Sequence, residues 1–234
     1  MASRILIVKL SSLGDVLHTL PAAQVLRRRF PEAHIAWAVE QLHAPLLADQ
    51  PWLDERIVWQ RTARGGFRHF IAQLRSQPWD IAIDFQGLFR SGLVTRLSGA
   101  RRRIGAAQAR EFAPLFYTER VTLPSLDVHA VEKSYELVKP LGAVDTRLPL
   151  VRPYLADQPP HASQDGRELF PLFPSQGDRA AVDRWCAEHG YDPTREQLVI
   201  LNPDCRREAN RWPIARFADV ARRLLDQPGV RVAL

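Results

Sequence analysis

The sequence predicts an α/β fold in which strands and helices alternate around a doubly wound parallel sheet. Short apolar runs that suit buried strands alternate with segments in which apolar residues recur at helical spacing. The first apolar run, residues 5–8, is followed by the turn Ser-Ser-Leu-Gly-Asp at 11–15 and then directly by a helical pattern. A second round of alternation begins after residue 177, which predicts two domains of this kind.

The elements of the first domain follow in order along the chain. After the first strand, Val16, Leu20, Ala23 and Leu26 recur every three or four residues and so share one face of a helix. Further strands are predicted at 34–39, 56–59, 81–85 and 121–123, and further helices at 67–76, 88–97 and 128–141. Gly142 is a typical stop signal for the last of these helices.

A proline-rich segment, residues 151–177, separates the two domains. Its prolines interrupt every regular pattern, so we expect a linker between an N-terminal domain at 1–150 and a C-terminal domain at 178–234. In the second domain, helices are predicted at 178–189 and 213–226, and strands at 198–201 and 230–234. Because the sequence stops within a strand of the buried type, we expect this domain to be incomplete. A small lobe that packs on the first domain is the alternative.

The composition is that of an ordinary globular protein. Of the 234 residues, 46% are hydrophobic and 25% are charged, which is enough apolar material for a core. No apolar run approaches the ~20 residues that span a bilayer, and the N-terminus lacks the pattern of a signal peptide. The two cysteines, Cys186 and Cys205, are too few for a disulfide framework or a zinc site. We therefore expect a protein of the reducing cytoplasm.

The basic residues are almost all arginine. Lys9, Lys133 and Lys139 are the only lysines in a chain whose formal net charge is +6. Because arginine binds phosphate and carboxylate in bidentate geometry, an anionic ligand or an anionic membrane surface is a candidate partner. A general compositional bias toward arginine is the alternative. Nucleic acid is not expected, since the runs at 27–29 and 101–103 have no interleaved aromatic residues that could stack on bases.

The turn after the first strand is the candidate functional site, because ligands of open α/β sheets bind beyond the carboxyl ends of strands. Asp15 could accept a proton from a reacting hydroxyl, or it could serve only to stabilise the free N–H groups at the start of a helix. Ser11, Ser12 and Gly14 are predicted to shape the turn and to offer N–H groups to an anion. His18 lies one helical turn after Asp15 and could face the same cleft, although a packed or exposed histidine is the alternative.

These residues belong to a longer signature. The segment 9–22, Lys-Leu-Ser-Ser-Leu-Gly-Asp-Val-Leu-His-Thr-Leu-Pro-Ala, resembles the opening motif of the lipopolysaccharide heptosyltransferases of glycosyltransferase family 9. Three later segments are similar to further motifs of that family: Asp-Ile-Ala-Ile-Asp-Phe-Gln-Gly-Leu at 80–88, His-Ala-Val-Glu at 129–132, and Asn202-Pro203 with Arg211-Trp212-Pro213. Because the four motifs occur in the family's order, the resemblance is specific.

The resemblance implies a GT-B fold, in which two Rossmann-like domains face a cleft, with the acceptor on the first domain and a nucleotide sugar on the second. It also implies transfer of L-glycero-D-manno-heptose from ADP-heptose to Kdo of the lipopolysaccharide inner core, with inversion and without a metal or other cofactor. The similarity is greatest to the members that attach the first heptose to Kdo-lipid A. Such a lipid-linked acceptor implies work at the cytoplasmic face of the inner membrane, where arginines would be drawn to anionic lipid.

The resemblance also implies which residues of the first domain form the site. Asp15 is assigned the role of general base, and the turn residues Ser11, Ser12 and Gly14, together with His18, are expected to contact the acceptor. Because this acceptor carries carboxylates and phosphates, cationic side chains near strand ends are further candidates for binding it: Arg61, Arg64, Arg90, Arg120 and His129. For the arginines the alternative is contact with water alone, and for the second histidine it is a helix cap or packing.

On the nucleotide side, the candidate donor-binding residues are Asn202, Arg206, Arg207, Asn210, Arg211 and Trp212. Here the sequence departs from the family, because Asn210 stands where a lysine that reaches the donor phosphates is usual, and Asp204 would repel phosphate. The arginines of this turn could supply the charge instead. The family's later donor motif, Asp-Thr/Ser-Gly-x-x-His, does not occur before Leu234. A truncated, non-catalytic remnant that binds acceptor or nucleotide is therefore the alternative to an active transferase.

Overall fold

The computed structural model describes residues 3–125, 127–143, 170, 172–204, 208 and 211–234. The chain divides into two compact units, Met1–Phe173 and Pro174–Leu234. Within the described residues, the first unit contains a six-stranded parallel sheet and the second contains a parallel pair of strands, with helices between strands in both units. The α/β class predicted from the sequence is confirmed.

The elements of the first unit alternate along the chain. Its strands are β1 (Arg4–Val8), β2 (His34–Glu40), β3 (Glu55–Trp59), β4 (Ile81–Asp84), β5 (Arg102–Ala106) and β6 (Glu119–Val121). Its α-helices are α1 (Leu13–Arg29), α2 (Gly66–Leu74), α3 (Phe89–Leu97) and α4 (Ala130–Val138), and short 3-10 helices lie at Ala44–Leu47, Ala113–Phe116 and Lys139–Leu141.

The strand order reverses between β1 and β4. The chain runs outward from β1 through β2 to β3, and β4 then returns to the other side of β1, with β5 and β6 beyond it. In the register of the sheet, Val8 pairs with Ala38 on one side and with Asp84 on the other. The ends of β1 and β4 therefore lie side by side at the switch point, where open α/β sheets bind their ligands.

The central strand β1 is buried on both faces. Ile5 and Ile7 pack with α1 and α4 in one core cluster, whereas Leu6 and Val8 pack with α2 and α3 in the other. Successive strand residues point to opposite faces, so a parallel strand that is covered by helices on both sides has one continuous apolar run. Burial of each of these side chains contributes about 1.5–3 kcal/mol, which holds the strand ends of the candidate site in place.

The strand β5 is absent from the sequence-based prediction. The run 101–103 is typical of the end of an element, yet Arg102 and Arg103 lie within the strand. The guanidinium of Arg102 pairs with Glu119 of the neighbouring strand (Nε to Oε1, 2.6 Å), and that of Arg103 donates to two backbone carbonyl oxygens. Because both charges have partners nearby, a strand close to the sheet edge tolerates them.

Two predicted boundaries also differ from the structure. The strand predicted at 121–123 ends at its first residue, because pairing with β5 sets an earlier register for β6. The helix predicted at 128–141 gives way to a 3-10 turn after Val138. Gly142 follows this turn with φ of 68°, a left-handed conformation that favours glycine, so the predicted stop signal is confirmed.

The second unit contains α5 (Gln176–Glu188), β7 (Gln197–Ile200), α6 (Ile214–Leu225) and β8 (Val230–Ala233). The strands β7 and β8 pair in parallel, so the second round of alternation is confirmed. The predicted linker at 151–177 lies mostly outside the described residues, and the domain limits 1–150 and 178–234 stay predictions. No helix in the described part of the chain combines the length and the apolar character that crossing a membrane requires.

Candidate functional site

A cleft of about 350 Å³ opens at the carboxyl edge of the sheet, where β1 and β4 diverge. The ends of these strands, the helices α1 and α4, and the segment after β5 line it. Polar side chains in the lining include Lys9, Asp15, His18, Gln86, Arg110 and Lys133. The cleft has the size and the polarity of a site for a sugar-sized ligand. No group of three His, Cys, Asp or Glu side chains that could hold a metal ion occurs among the described residues.

Asp15 lies in the first turn of α1 and faces the cleft. Its Oδ2 accepts hydrogen bonds from the backbone N–H (3.1 Å) and the hydroxyl (2.7 Å) of Ser12, the residue before the helix. Its Oδ1 accepts no hydrogen bond from the residues that the structure describes. One carboxylate oxygen therefore stabilises the start of the helix, while the other is available to a ligand.

The surroundings of Asp15 keep its carboxylate ionised. Burial acts to raise the pKa of this group, but the Ser12 hydroxyl, the Lys9 ammonium and the Ser12 N–H outweigh burial and hold the pKa below its ordinary value. A carboxylate that is to accept a proton must begin the reaction without one. Asp15 meets that requirement at neutral pH.

We expect Ser12→Ala to raise the pKa of Asp15, because the shorter of the two hydrogen bonds to its carboxylate is lost. Carbon-13 NMR titration of the Asp15 carboxyl group measures the change. A lowered pKa in the folded state stabilises the chain above the ordinary pKa of aspartate, and this contribution disappears as the pH falls through the lowered value. The variant should therefore be less stable than the wild type at neutral pH, and the difference should shrink in acid.

Ser11→Ala is the matched control for this variant. The Ser11 hydroxyl makes no hydrogen bond with the described residues, whereas its backbone N–H remains after the substitution. We expect the pKa of Asp15 to stay unchanged in the control. Equal pKa changes in the two variants would show that the Ser12 hydroxyl does not hold the carboxylate in its ionised form.

Asp84 ends β4 and is 1% exposed. Its Oδ1 accepts hydrogen bonds from the backbone N–H groups of Gln86 (2.8 Å) and Gly87 (3.0 Å). Its Oδ2 accepts from the hydroxyls of Ser91 (2.8 Å) and Tyr117 (2.7 Å). Burial raises the pKa of Asp84 although these four donors act against it, and burial raises the pKa of the Tyr117 hydroxyl as well. With four donors around it, the Asp84 carboxylate acts as a structural anchor.

Gln86 connects this buried carboxylate to the turn that carries Asp15. Its side-chain Oε1 accepts hydrogen bonds from the backbone N–H groups of Leu10 (2.9 Å) and Ser11 (3.3 Å). Gly87 has φ of 68°, a conformation that glycine adopts readily, and so lets the chain turn directly after Gln86. A continuous set of hydrogen bonds therefore joins the end of β4 to the turn after β1.

The sequence-based prediction assigns no role to several residues of this cleft, namely Lys9, Asp84, Gln86, Arg110 and Lys133. The first three lie within motifs of the resemblance, at the ends of two apolar runs or directly after them. Their position at strand ends is the feature of the sequence that could have identified them as site residues. It identifies them only once the strand order is known, because the ends of β1 and β4 form one site only if the two strands are neighbours.

His18 of α1 and His129 at the start of α4 are brought together. Their ring centroids lie 5.1 Å apart in an edge-to-face arrangement. Burial and the neighbouring His129 lower the pKa of His18, whereas Asp15 acts to raise it. His129 caps α4, because its Nδ1 accepts the N–H of Val131 at 3.3 Å. His18 thus faces the same cleft as Asp15, and His129 has the capping role that the sequence left open.

Two of the predicted acceptor arginines lie around Glu40 at the end of β2. Arg61 lines a second depression together with Glu40 and Trp59. Arg90 pairs with Glu40 (Nη1 to Oε1, 3.1 Å), and its guanidinium lies 5.4 Å from the centroid of the Trp59 ring. These two arginines are therefore grouped with each other rather than with Asp15.

The other two predicted acceptor arginines lie at separate positions. Arg64 is exposed in the turn before α2. Arg120 lies in β6, and its Nε donates a hydrogen bond to the carbonyl oxygen of Pro114 at 3.0 Å. None of the four predicted arginines lines the cleft that contains Asp15, and their contact with an acceptor stays a prediction.

In the second unit, the candidate donor-binding residues follow β7. The Oδ1 of Asn202 accepts a hydrogen bond from the N–H of Asp204 (3.1 Å), and Arg211 lies 3.6 Å from the Asp204 carboxylate. The exposed ring of Trp212 packs edge-on against Phe217, with 5.0 Å between centroids. The remaining candidates, Arg206, Arg207 and Asn210, lie outside the described residues, as does Cys205. The unfavourable acid of this turn therefore has a cationic neighbour.

The sequence from residue 67 to residue 234 matches glycosyltransferase family 9 (heptosyltransferase). Lipopolysaccharide heptosyltransferase 1 of Pseudomonas aeruginosa is 36% identical over 179 residues, which are 68% of this chain and 50% of that protein. The protein of the same name from Salmonella typhimurium is 36% identical over an alignment of 253 positions, which covers 99% of this chain and 68% of the relative. The chain thus spans about half to two thirds of the length of these curated relatives.

Solved structures with a similar fold are also glycosyltransferases of this kind. The family 9 glycosyltransferase from Veillonella parvula has a TM-score of 0.77 and 22% identity, over 98% of this chain and 61% of that one. The E. coli heptosyltransferase WaaC with ADP-2-deoxy-2-fluoro heptose has a TM-score of 0.67 and 26% identity, over 98% of this chain and 67% of that one. The chain has the GT-B-type α/β fold of these proteins.

Proposed function

Because the chain belongs to glycosyltransferase family 9, we propose that it is a heptosyltransferase of lipopolysaccharide core assembly. In this proposal it transfers L-glycero-D-manno-heptose from ADP-heptose to a Kdo residue of the inner core, with inversion and without a metal. The names of the similar proteins support the reaction class. The E. coli structure with ADP-2-deoxy-2-fluoro heptose supports an ADP-linked heptose as the donor.

The proposal rests mainly on the state and position of the Asp15 carboxylate. It is ionised, it faces the cleft, and its Oδ1 has no hydrogen-bond partner among the described residues. A sugar hydroxyl that is to react needs a proton acceptor within reach and polar groups that orient the ring. We therefore assign acceptor binding to the first unit, and donor binding to the turn after β7 in the second.

The proposed step is a displacement at the anomeric carbon of the heptose. The acceptor hydroxyl oxygen forms the new glycosidic bond to this carbon, while the bond to the ADP phosphate oxygen breaks and its electron pair leaves with ADP. The hydroxyl proton passes to Oδ1 of Asp15, which balances the charge on the attacking oxygen. Because attack and departure occur on opposite faces of the sugar, the configuration at the anomeric carbon inverts.

On the donor side, the proposal needs positive charge near the diphosphate of ADP. The helix α6 begins after Pro213 and offers free backbone N–H groups at its start. The sequence before it contains Arg206, Arg207 and Arg211. We propose that these groups stabilise the leaving diphosphate, with Asn202, Asn210 and Trp212 as further contacts to the donor.

A Kdo acceptor that is linked to lipid A would bring the protein to a membrane. We propose that it works at the cytoplasmic face of the inner membrane, in peripheral contact with anionic lipid. The formal net charge of +6, supplied almost entirely by arginine, supports this location, because each basic residue near an anionic surface contributes about 1 kcal/mol to binding.

Gly14→Ala tests whether the acceptor lies over the start of α1. A Cβ atom at Gly14 meets no atom within 4 Å, so the fold itself does not require glycine there. We expect the variant to be as stable as the wild type or up to about 1 kcal/mol more stable, because alanine favours helix. Its affinity for the Kdo acceptor should fall, because the new methyl group takes space that the ligand needs.

Urea unfolding and calorimetric titration with a Kdo acceptor measure these two effects on the same protein. A variant that is at least as stable as the wild type but binds the acceptor more weakly has lost a ligand contact, whereas a folding defect would lower its stability as well. If the affinity for the acceptor stays unchanged, the acceptor does not lie over Gly14, and the predicted contact of this glycine is wrong. The cleft itself would stand, because Gly14 is not among the residues that line it.

Transfer by the purified chain tests the proposed reaction. The chain is incubated with ADP-heptose and Kdo-lipid A, with and without EDTA, and the products are analysed by mass spectrometry and NMR. We expect a heptosylated acceptor with inverted anomeric configuration, formed at the same rate in EDTA. Acceptor binding without transfer would favour the non-catalytic alternative. Loss of activity in EDTA that a divalent cation restores would contradict metal independence.

A further inference from the structure

Lys9 is a buried cation that borders the cleft. It follows β1, is 7% exposed, and its Nζ donates a hydrogen bond to the carbonyl oxygen of Phe85 at 3.1 Å. This is the only hydrogen bond that the ammonium group makes with the residues that the structure describes. Since an ammonium group has three N–H donors, two remain for a ligand in the cleft that Lys9 lines.

The Lys9 ammonium has no ion-pair partner among the described residues, although Asp15 and Asp84 attract it at longer range. The Asp84 carboxylate is occupied by its four donors, and one oxygen of Asp15 is occupied by Ser12. A buried cation without an ionic partner is costly, and proteins therefore pair such charges. The Lys9 ammonium borders the cleft, so an anionic group of a ligand there can be its ionic partner.

Two further cations line the same cleft from other sides. Arg110 follows β5, and Lys133 lies in α4. The guanidinium of Arg110 is exposed and makes no hydrogen bond or ion pair with the described residues. The Gln108 amide, by contrast, exchanges two 3.0 Å hydrogen bonds with the backbone of Leu123 and carries no charge. Arg110 and Lys133 therefore bring positive charge to this wall of the cleft.

We propose that the cleft contains an anion subsite in which Lys9, supported by Arg110 and Lys133, binds a carboxylate or phosphate of the acceptor. The inference rests on the proposed function, because it requires the reacting hydroxyl to lie at Asp15. The Asp15 carboxylate repels an anion, whereas Lys9 attracts one. A ligand with both an acidic group and a hydroxyl is thus oriented with the acidic group at Lys9 and the hydroxyl at Oδ1 of Asp15. A neutral sugar lacks this orientation, so the subsite selects acidic sugars.

Binding of a sugar acid in the absence of donor tests the subsite. The full chain is titrated by calorimetry with Kdo, with the Kdo carboxamide, which has no negative charge, and with inorganic phosphate. We expect Kdo to bind at least about tenfold more tightly than its carboxamide, because charge-assisted hydrogen bonds are the strong ones. Competition by phosphate would show that a phosphate also fills the subsite, and its absence would identify the carboxylate as the anion that is bound.

Lys9→Met and Lys139→Met form a matched pair of variants. Each removes one positive charge and leaves an unbranched side chain that is one atom shorter, but Lys139 is exposed and pairs with Glu136 outside the cleft. We expect Lys9→Met to bind Kdo at least about tenfold more weakly and to lose the preference over the carboxamide. Lys139→Met should bind Kdo like the wild type. Should Lys9→Met fail to fold, Arg110→Gln at its exposed position replaces it, with an expected weakening of about threefold or more.

Equal affinity of the wild-type chain for Kdo and its carboxamide would overturn the subsite. Unchanged Kdo affinity in both Lys9→Met and Arg110→Gln would do the same. These measurements contain no donor, so they are separate from the proposed reaction. A chain that binds Kdo through Lys9 but transfers no heptose would keep the subsite and overturn the proposed function. If the wild-type chain transfers heptose and Lys9→Met has the same KM for the acceptor, the proposed function stands and the subsite is overturned.

Discussion

Asp15→Asn is expected to slow heptose transfer by about 10²–10⁴-fold, the range that a positioned general base contributes. The amide has nearly the same size as the carboxylate, and its oxygen can still accept the N–H of Ser12, so the start of α1 should persist. The asparagine amide, unlike the carboxylate, cannot take up the proton of the acceptor hydroxyl. The fall should therefore appear in kcat, with the KM for the acceptor close to that of the wild type.

The kinetic pattern separates the two roles that the sequence allows for Asp15. If the carboxylate served only the helix N-terminus, its loss would cost about 0.3–1 kcal/mol of stability and leave kcat almost intact. Asp183→Asn, which makes the same change on an exposed face of α5, is the matched control and should leave both stability and kcat unchanged. Turnover of Asp15→Asn near that of this control would exclude Asp15 as the base.

Asp84→Ala is expected to destabilise the chain by about 3–5 kcal/mol, a large part of the ~5–15 kcal/mol that holds a typical domain together. The substitution leaves two hydroxyls and two backbone N–H groups without their acceptor in a buried site. Each unsatisfied buried donor costs about 1–3 kcal/mol, and the costs are not fully additive. Urea unfolding followed by tryptophan fluorescence measures the loss.

Two companion variants show whether the lost acceptor is the cause. Asp80→Ala makes the same change just before β4, where the exposed carboxylate accepts, from the described residues, only the N–H of Arg4, and should cost less than about 1 kcal/mol. Asp84→Asn keeps one carbonyl oxygen for the turn, and the hydroxyls of Ser91 and Tyr117 can rotate to accept from its amide. The loss of stability in Asp84→Asn should therefore lie between the losses in the two alanine variants. Equal destabilisation by Asp80→Ala and Asp84→Ala would contradict the anchoring role of Asp84.

Local patterns predict most elements of this fold, and pairing between strands accounts for the exceptions. The run at 5–8 and the helix after it follow from composition and spacing alone. The strand β5 does not, because its first two residues are arginines. Arg102 finds its carboxylate partner only when β6 lies beside it, and Arg103 donates to the carbonyl oxygens of Phe116 and Ala100. The boundary of β6 depends on the same pairing. Sequence periodicity contains no information about which strand lies next to which.

The residues of the candidate site also fall into a group that the sequence predicts and a group that depends on strand pairing. Asp15, Ser12 and His18 are close along the chain, so a turn followed by a helix is enough to bring them together. The contact between Lys9 and Phe85 and the contact between Gln86 and Leu10 each join residues that are 76 positions apart. Both require β4 to lie beside β1, on the side opposite β2. The anion-binding part of the cleft is therefore visible only in the folded chain.

We claim that the cleft at the ends of β1 and β4 holds the acceptor, with Asp15 as its base, and a crystal structure of the chain with a Kdo-containing acceptor would show whether it does. We expect the sugar to lie in this cleft, with one hydroxyl within about 2.6–3.2 Å of Oδ1 of Asp15 and its carboxylate at Lys9. A sugar bound elsewhere on the chain, or one whose hydroxyls all lie beyond the reach of Asp15 even through one water, would contradict the claim.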